Sequence, residues 1–487
     1  MNRTDETTKE MILEQMPFTS EEWEQTPAAV QEFMLSLIVQ VQRLEAEVAT
    51  LRERVNRNSR NSSKPPSSDG PDVSSQPSKR AKGKRKRGAQ PGHKGTRRKL
   101  VPIEQVKEEY DIKSSTCRSC GHELDGQDPK PRRHQVTEIP PVVAEVTEYR
   151  LHTLCCSQCG AETRAELPAG VPQGAFGPRL QGMVSLLTGR YRLSKRDTAE
   201  VIEDFFQADI SVGSVCKLEQ RTSEAISEPV AEAREFVKEQ PAVHMDETGW
   251  REANKKAWLW VASTPLATVF LIRRSRGGKV AKEMLGETFK GILNSDRWSG
   301  YNWVTVSFRQ LCWSHLLRDF QAFVERGGES QRIGEAILAQ SDLMFEWWYR
   351  VCDGTMTRAT FQENMKPVQQ KVGERLRQGT SCTHSKTAGT CRDILKREEA
   401  LWTFVHIEGV EPTNNLAERQ VRHGVIWRKI CFGTQSEAGS RFAERIMTVV
   451  ATLKQQQRNA LDYLTEACDA ANWGRPPPSL FLTAPTP

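Results

Sequence analysis

Three acids, far apart in a chain of 487 residues, stand in short polar motifs that end apolar runs. They are Asp246 in Val243-His244-Met245-Asp246-Glu247-Thr248, Asp296 in Ile292-Leu293-Asn294-Ser295-Asp296-Arg297-Trp298, and Glu418 in Thr413-Asn414-Asn415-Leu416-Ala417-Glu418-Arg419. Two belong to strand-like runs and the third to a helix-like run, the pattern by which a sheet enzyme gathers carboxylates around a pair of divalent cations. Hard oxygen ligands suit Mg²⁺ or Mn²⁺, and two such ions about 3.5–4 Å apart can activate the attacking oxygen and neutralise the leaving one in phosphodiester chemistry. Without cations, three acids so close would repel one another and hold their protons more tightly. A single Asp at a strand end is usually a turn or cap residue, so the reading rests on the combination.

A second metal chemistry lies in the cysteines. Cys117-Arg118-Ser119-Cys120-Gly121-His122 and Cys156-Ser157-Gln158-Cys159-Gly160 are CxxC knuckles, each followed by the glycine that lets amides point at sulfur. Together they would bring four thiolates, from Cys117, Cys120, Cys156 and Cys159, to one structural Zn²⁺. Cys155 could replace Cys156 at the cost of a longer knuckle. The intervening Val142, Val143, Val146, Tyr149 and Leu151 suit a ribbon of strands. The other reading is reduced, buried cysteine, since twelve cysteines in a reducing compartment argue against disulfides. Cys312-Trp313-Ser314-His315 could simply begin a helix with a buried Cys and His. Cys382, His384 and Cys391 have no zinc spacing and receive no function.

The formal net charge is a modest +7, but Lys79 to Lys99 holds eleven Lys or Arg and no acid. That segment suits a polyanion. Its Gly- and Pro-containing part, Arg87 to Arg98, could lie extended along a DNA groove with its charges on phosphates. No stretch approaches the roughly 18 apolar residues that cross a bilayer. Asp5, Glu6 and Glu10 do not suit a signal peptide, so a cytoplasmic location is expected.

The positioning elements follow from periodicity. Met34, Leu37, Val41, Leu44, Val48, Leu51 and Val55 form a heptad seam that suggests self-association through a helix ending by Asn56, although a packed amphipathic helix has the same spacing. Asn58 to Ser78 reads as a linker. Ser194 and Ser211 are plausible caps for helices reaching Phe206 and Ile226, a helix-turn-helix-like pair with Lys217, Gln220 and Arg221 toward a DNA groove. Ala242 to Thr248, Ala257 to Ser263 and Thr268 to Arg273 suggest a meander. Lys279 to Leu285 reads as a helix, and Gly291 to Asp296 as a fourth strand beside the first, with Asp246 and Asp296 side by side. Helical spacing in Ile333 to Tyr349 and Phe361 to Leu376 implies an all-α insertion.

These motifs, in this order, resemble the insertion-sequence 66 family of bacterial transposases. The Ser-Lys-Pro-Pro-Ser-Ser-Asp run, Gly88 to Gly95 and the paired knuckles are similar to that family's amino-terminal half. Trp427-Arg428-Lys429, Phe432-Gly433-Thr434-Gln435-Ser436, Gly439-Ser440-Arg441-Phe442 and Glu444-Arg445 are similar to its carboxy-terminal block. Arg-Pro often follows the Glu418 motif in the family, whereas Val421, Arg422 and His423 stand here. The resemblance implies a multidomain α+β protein whose ribonuclease-H-like α/β/α core has a mixed sheet and an all-α insertion, with Asp246, Asp296 and Glu418 as catalytic ligands of two Mg²⁺ or Mn²⁺ ions.

It also implies cleavage and joining of transposon ends in double-stranded DNA, in a bacterial, nucleoid-associated setting, with accessory proteins as possible partners. Cys312-x-x-His315 resembles an element that follows the fourth strand in several related transposases. The expected organisation is 1–57 helical, 58–100 a disordered basic linker, 101–170 zinc-binding, 171–237 helix-turn-helix-like, 238–465 catalytic with its insertion at about 321–405, and 466–487 a tail. Candidate DNA contacts are Lys84, Arg85, Lys86, Arg87, His93, Lys94, Arg97, Arg98, Lys217, Arg221, Arg422, Arg428 and Lys429, with Arg419 beside the last acid. Two other readings share these motifs: an inactive zinc-containing DNA-binding regulator, and a ribonuclease-H-like nuclease that does not join strands.

Overall fold

The computed structural model describes residues 20–56, 58, 62–64 and 99–481. The basic residues from Lys84 to Arg98 named above lie outside the described residues. Helix α1 (Ser20–Glu24) turns into α2 (Ala28–Asn56), and the Gln31 amide donates to the Trp23 carbonyl at 2.6 Å. Helix α2 ends where the composition turns to Asn and Ser, and its seam residues Leu37, Val41, Leu44, Val48, Leu51 and Val55 are exposed. Beyond it Ser62 is buried, while the Ser63 amide and hydroxyl donate to the two oxygens of Glu325 at 2.6 and 3.0 Å. This part of the expected linker is therefore fastened.

The knuckles share one local geometry. Cys117 N–H donates to the His122 carbonyl and Gly121 N–H to the Cys117 carbonyl; Cys156 with Ala161 and Gly160 with Cys156 repeat this. Gly121 and Gly160 sit at φ 76° and 73°, where a Cβ would be strained. Amides of Ser119 and Cys120 point at Cys117 sulfur, and those of Gln158 and Cys159 at Cys156 sulfur, which lowers both thiol pKa values. The four sulfurs do not gather within 4.8 Å; among the described residues only Cys312, His315 and Glu418 form such a group. The expected ribbon is also reduced. Among the described residues β1 (Thr153–Cys155) and β2 (Glu162–Arg164) pair, antiparallel, around the second knuckle, and a single antiparallel bridge of Thr116 with Glu123 flanks the first. Val142, Val143, Val146 and Tyr149 are exposed outside any strand, after Pro140-Pro141, which offer no amide donors.

Next come α3 (Pro178–Gly189), α4 (Lys195–Phe206), α5 (Val212–Ala225) and α6 (Ser227–Lys238). Ser194 accepts from Asp197 N–H and Ser211 from Ser214 N–H, so both expected caps form. Val184, Ile202, Ile210, Val215 and Leu218 make the small core of these helices. Then follow β3 (Ala242–Glu252), β4 (Lys255–Ser263), β5 (Thr268–Arg273), α7 (Gly278–Leu285), β6 (Ile292–Ser295) and β7 (Arg309–Leu311). Their mixed sheet has the order β5-β4-β3-β6-β7; β4 and β5 pair antiparallel, and β6 pairs parallel with β3 and β7.

Helices α8 (Trp313–Glu325), α9 (Gly328–Cys352), α10 (Arg358–Gly379), α11 (Ser385–Leu395) and α12 (Thr403–His406) follow. Last come α13 (Asn415–Cys431), α14 (Glu437–Gln455) and α15 (Ala460–Asn472). No helix among the described residues is long and apolar enough to cross a membrane.

Two compact units result, each drawn from separated stretches. One comprises Met1–Gln76, Glu239–Asp246 and Arg276–Arg419; the other comprises Pro77–Lys238, Glu247–Ser275 and Gln420–Pro487. In the first, α8 buries Trp313, Leu316, Phe320 and Phe323, and α10 buries Phe361, Met365, Val368, Val372 and Leu376. These steps of three and four make one helical stripe, and burying each such side chain contributes about 1.5–3 kcal/mol. The helices expected from the spacing at Ile333 to Tyr349 and Phe361 to Leu376 form this bundle, with Cys382 and Cys391 inside its core.

In the second unit, α14 closes the free edge of β5. Thr452 and Thr448 hydroxyls accept from Thr268 and Phe270 N–H at 3.1 and 3.0 Å, and Glu444 accepts from Ile272 N–H. Four helical residues rise about 6 Å and two strand residues about 6.7 Å, so side chains four apart meet amides two apart. Burial pushes Glu444 up to about 7, against the downward pull of Arg441, the Ile272 amide, Arg273 and Arg234. Thr448→Val keeps the shape but strands a buried amide. It is expected to cost about 1–3 kcal/mol in urea unfolding, and an unchanged midpoint would exclude this edge closure as a stabilising contact.

Candidate active site around Asp246, Asp296 and Glu418

The parallel register aligns Ala242 with Ile292, Val243 with Leu293 and His244 with Asn294. Continued two residues along, it sets Asp246 level with Asp296. Likewise β6 aligns Ser295 with Leu311, so Asp296 is level with Cys312. Neighbouring strands lie about 4.8 Å apart, and side chains alternate between faces. By this count Asp246, Asp296 and Cys312 would follow at the strand ends, past the aligned His244, Asn294 and Gln310; the carboxylates of Asp246, Asp296 and Glu418 do not all lie within 4.8 Å of one another. His244, Asn294 and Gln310 are buried, whereas both aspartates are partly exposed.

That buried polar row fastens the chain that carries the third acid. Asn294 Nδ2 donates to the Glu411 and Thr413 carbonyls at 2.7 and 3.1 Å. Gln310 accepts from Phe404 N–H at 2.8 Å, and the Asn414 side chain offsets part of the burial that lowers the His244 pKa to about 4. Asn414 Nδ2 also donates to the Met245 carbonyl at 2.6 Å, and its backbone N–H to Cys312 Sγ at 3.1 Å. Helix α13 begins at the next residue, with Glu418 in its first turn. The sequence reading missed His244, Asn294, Gln310 and Asn414. A polar side chain within a short buried strand was the signal at His244, Asn294 and Gln310, and Asn414, just before α13, had none.

Glu418 Oε1 lies 3.3 Å from His315 Nδ1 and 3.6 Å from Cys312 Sγ. Cys312 does begin helix α8, as the plain reading held, and His315 occupies its first turn. Burial, then the Glu418 charge, push the Cys312 thiol up to about 12. Burial, then Arg318, lower the His315 pKa, while Glu418, Asp296 and Asp319 pull it back.

Trp298 N–H donates to Asp296 Oδ1 at 2.8 Å. The Trp298 ring packs edge-on against Tyr301, with the Arg276 guanidinium 4.5 Å above it. Arg309, buried and absent from the sequence-based site, donates to the Asp296 carbonyl at 2.9 Å. Arg297 bonds to Asp319 at 2.6 Å and also to Asp393.

Arg419, Arg422 and Lys429 are exposed on α13. Arg428 instead donates to the Gly249 carbonyl at 2.7 Å. On α5, Lys217, Gln220 and Arg221 share an exposed face opposite Val215, Leu218 and Thr222.

A family model described as transposase IS66 family matches residues 176–442. The chain belongs to this family. Residues 15–99 match a family of unknown function (DUF6444). A relative from Sinorhizobium fredii (strain NBRC 101917 / NGR234), called uncharacterized protein y4qI, is 28% identical over 244 residues. The match covers 45% of this chain and 45% of that relative's length.

Part of the carboxy-terminal motif block named in the sequence analysis has structural work. Thr434 exchanges backbone bonds with Arg251 and Ala253 and accepts from Trp250 Nε1, while Ser440 donates to Glu252 at 2.6 Å. At Gly433, φ is +107° and a Cβ would overlap the Arg251 carbonyl. Where Arg-Pro often follows the acid, α13 continues without a break to Cys431. His423 Nδ1 there faces Arg190 and Arg192 at 3.3 and 3.5 Å.

Burial, then Arg190, Arg192, Lys454 and Arg422, push His423 down to about 4. The unfolded value is about 6.5, so between these pH values the unfolded chain binds a proton that the folded chain refuses. Stability should therefore be unaffected by this group above about pH 6.5 and fall as pH drops toward about 4, by at most about 1.4 kcal/mol per unit. His423→Gln is expected to flatten that slope in urea unfolding, and an equal slope would refute the assignment.

Proposed function

We propose that the chain is a metal-dependent Asp-Asp-Glu transposase with a ribonuclease-H-like core. The sheet order supports this reading, and the parallel pairing of β3 with β6, after which Asp246 and Asp296 each follow two residues beyond the last aligned pair, carries it. Two partly exposed carboxylates at the ends of buried strands, with a third on a helix tied by Asn414, fit hard divalent cations. Asp246, Asp296 and Glu418 would hold two Mg²⁺ or Mn²⁺ ions, which when bound stabilise the attacking and leaving oxygens of a phosphodiester.

The protein's own contribution is placement. His244, Asn294 and Gln310 lock the carboxylate-bearing segments, so the acids need little reorganisation when DNA arrives. Water attack at a transposon end and 3′-hydroxyl attack on target DNA are both in-line displacements, so one carboxylate set serves both. Arg422, one turn after Glu418, and Lys429 supply exposed charge for phosphate oxygens. Lys217 and Arg221 on α5 would contact the duplex, and the segment holding Lys84, Arg85, Lys86, Arg87, His93, Lys94, Arg97 and Arg98 would add salt-sensitive affinity. Cys117, Cys120, Cys156 and Cys159 would hold structural Zn²⁺ once the preformed knuckles meet.

With Mg²⁺ and DNA bearing the element's ends, the purified chain is expected to nick and join. Asp246→Asn, Asp296→Asn and Glu418→Gln should each abolish both steps while DNA binding persists. Full activity in these variants would refute the proposal, and cleavage without joining would favour a simple nuclease.

The exposed seam of α2 is proposed to pair with a second copy. A double change, Leu44→Asp with Leu51→Asp, is expected to reduce the mass measured by light scattering to that of one chain. An oligomer unaffected by it would place the contact elsewhere.

A further inference from the structure

We infer that Cys312, His315 and Glu418 form a binding site for a borderline divalent cation of the Zn²⁺ class, separate in chemistry from the three-carboxylate set. Their ligand atoms all lie within 4.8 Å of one another. Two edges of this triangle have the size of a coordination polyhedron. A tetrahedral ion with bonds of about 2.3 Å to sulfur and about 2.0–2.2 Å to nitrogen and oxygen separates S from O by about 3.6 Å and N from O by about 3.4 Å. The observed separations are 3.6 Å for Cys312 Sγ to Glu418 Oε1 and 3.3 Å for His315 Nδ1 to the same oxygen.

Two further observations point to an ion. His315 Nδ1 is buried and makes no well-aligned hydrogen bond even to Glu418 Oε1 at 3.3 Å, a geometry that an ion between them would satisfy. The amides of Ser314, His315 and Asn414 point at Cys312 sulfur. The first two repeat the arrangement of both CxxC knuckles, where amides two and three residues on face the first sulfur. Burial and Glu418 keep the Cys312 thiol protonated without an ion, so binding would displace its proton to solvent, with these amides left facing the sulfur. Sulfur and imidazole select Zn²⁺ over Mg²⁺, and a water molecule could complete the shell.

Glu418 belongs to both sets. An ion held by Cys312 and His315 would keep this carboxylate from the aspartates and inhibit strand cleavage. That consequence rests on the function proposed above; the site itself does not.

Co²⁺ titration of the full chain, read by thiolate-to-cobalt charge-transfer absorption, tests the site. The knuckles contribute their own signal, so wild type is compared with Cys312→Ser and His315→Asn. Each variant is expected to lose one equivalent, with circular dichroism unchanged. Undiminished stoichiometry and absorption in both would overturn the site. Should Cys312→Ser not fold, the partly exposed His315 position carries the comparison.

Zn²⁺ added to Mg²⁺-supported cleavage tests the consequence. Loss of even an outer-shell partner weakens metal binding by about 10–100-fold, so Cys312→Ser should need at least about tenfold more Zn²⁺ for half inhibition. Equal sensitivity would overturn the inhibition. A wild type without Mg²⁺-supported cleavage would instead refute the proposed function, leaving the Co²⁺ comparison to decide the site.

Discussion

The parallel pairing of β3 with β6 governs where everything else in the candidate site can stand. A slip of one residue would turn Asp296 to the opposite face from Asp246, because strand side chains alternate. The buried residues on either side resist such a slip. Val243, Met245, Leu293 and Ser295 are fully enclosed, and moving them would expose apolar surface while burying carboxylates. The two aspartates thus inherit their relation from the packing beneath them rather than from any bond between them.

Polar residues then transmit that register to a segment more than a hundred residues away in sequence. His244, Asn294 and Gln310 lie where a sheet of this kind ordinarily has aliphatic side chains, and each is buried. Donation from Asn294 to the Glu411 carbonyl and from Phe404 N–H to Gln310, together with Asn414 to Met245, satisfies much of this polarity and sets the start of α13. Leaving such groups unmatched costs about 1–3 kcal/mol each. The segment before Glu418 is therefore held at a definite height against the strands.

The same economy explains much of the carboxy-terminal motif block. Gly433, Thr434, Ser440 and Glu444 hold their own backbone and the β3, β4 and β5 region together. Arg428, read from the sequence as a phosphate contact, already caps the Gly249 carbonyl, whereas Arg422 and Lys429 remain on the surface. A cluster of cations next to a catalytic acid thus divides into structural and solvent-facing members, a distinction that charge and spacing do not contain.

Local chemistry determined a good deal by itself: the caps at Ser194 and Ser211, the end of α2 at Asn56, the strand segments carrying Asp246 and Asp296, and the helical insertion. Each depends on periodicity, capping or turn residues within a few positions, which the chain specifies wherever it finds itself. Tertiary structure alone decided that Cys312 and His315 meet Glu418, that Arg309 lies beneath Asp296, and that Ser63 docks on Glu325. It also left Val142 to Tyr149 outside any strand, because alternation makes a strand only when a partner offers amides and carbonyls. Contacts between residues a hundred positions apart depend on register and on which buried polar groups find partners, and these are properties of the packed chain.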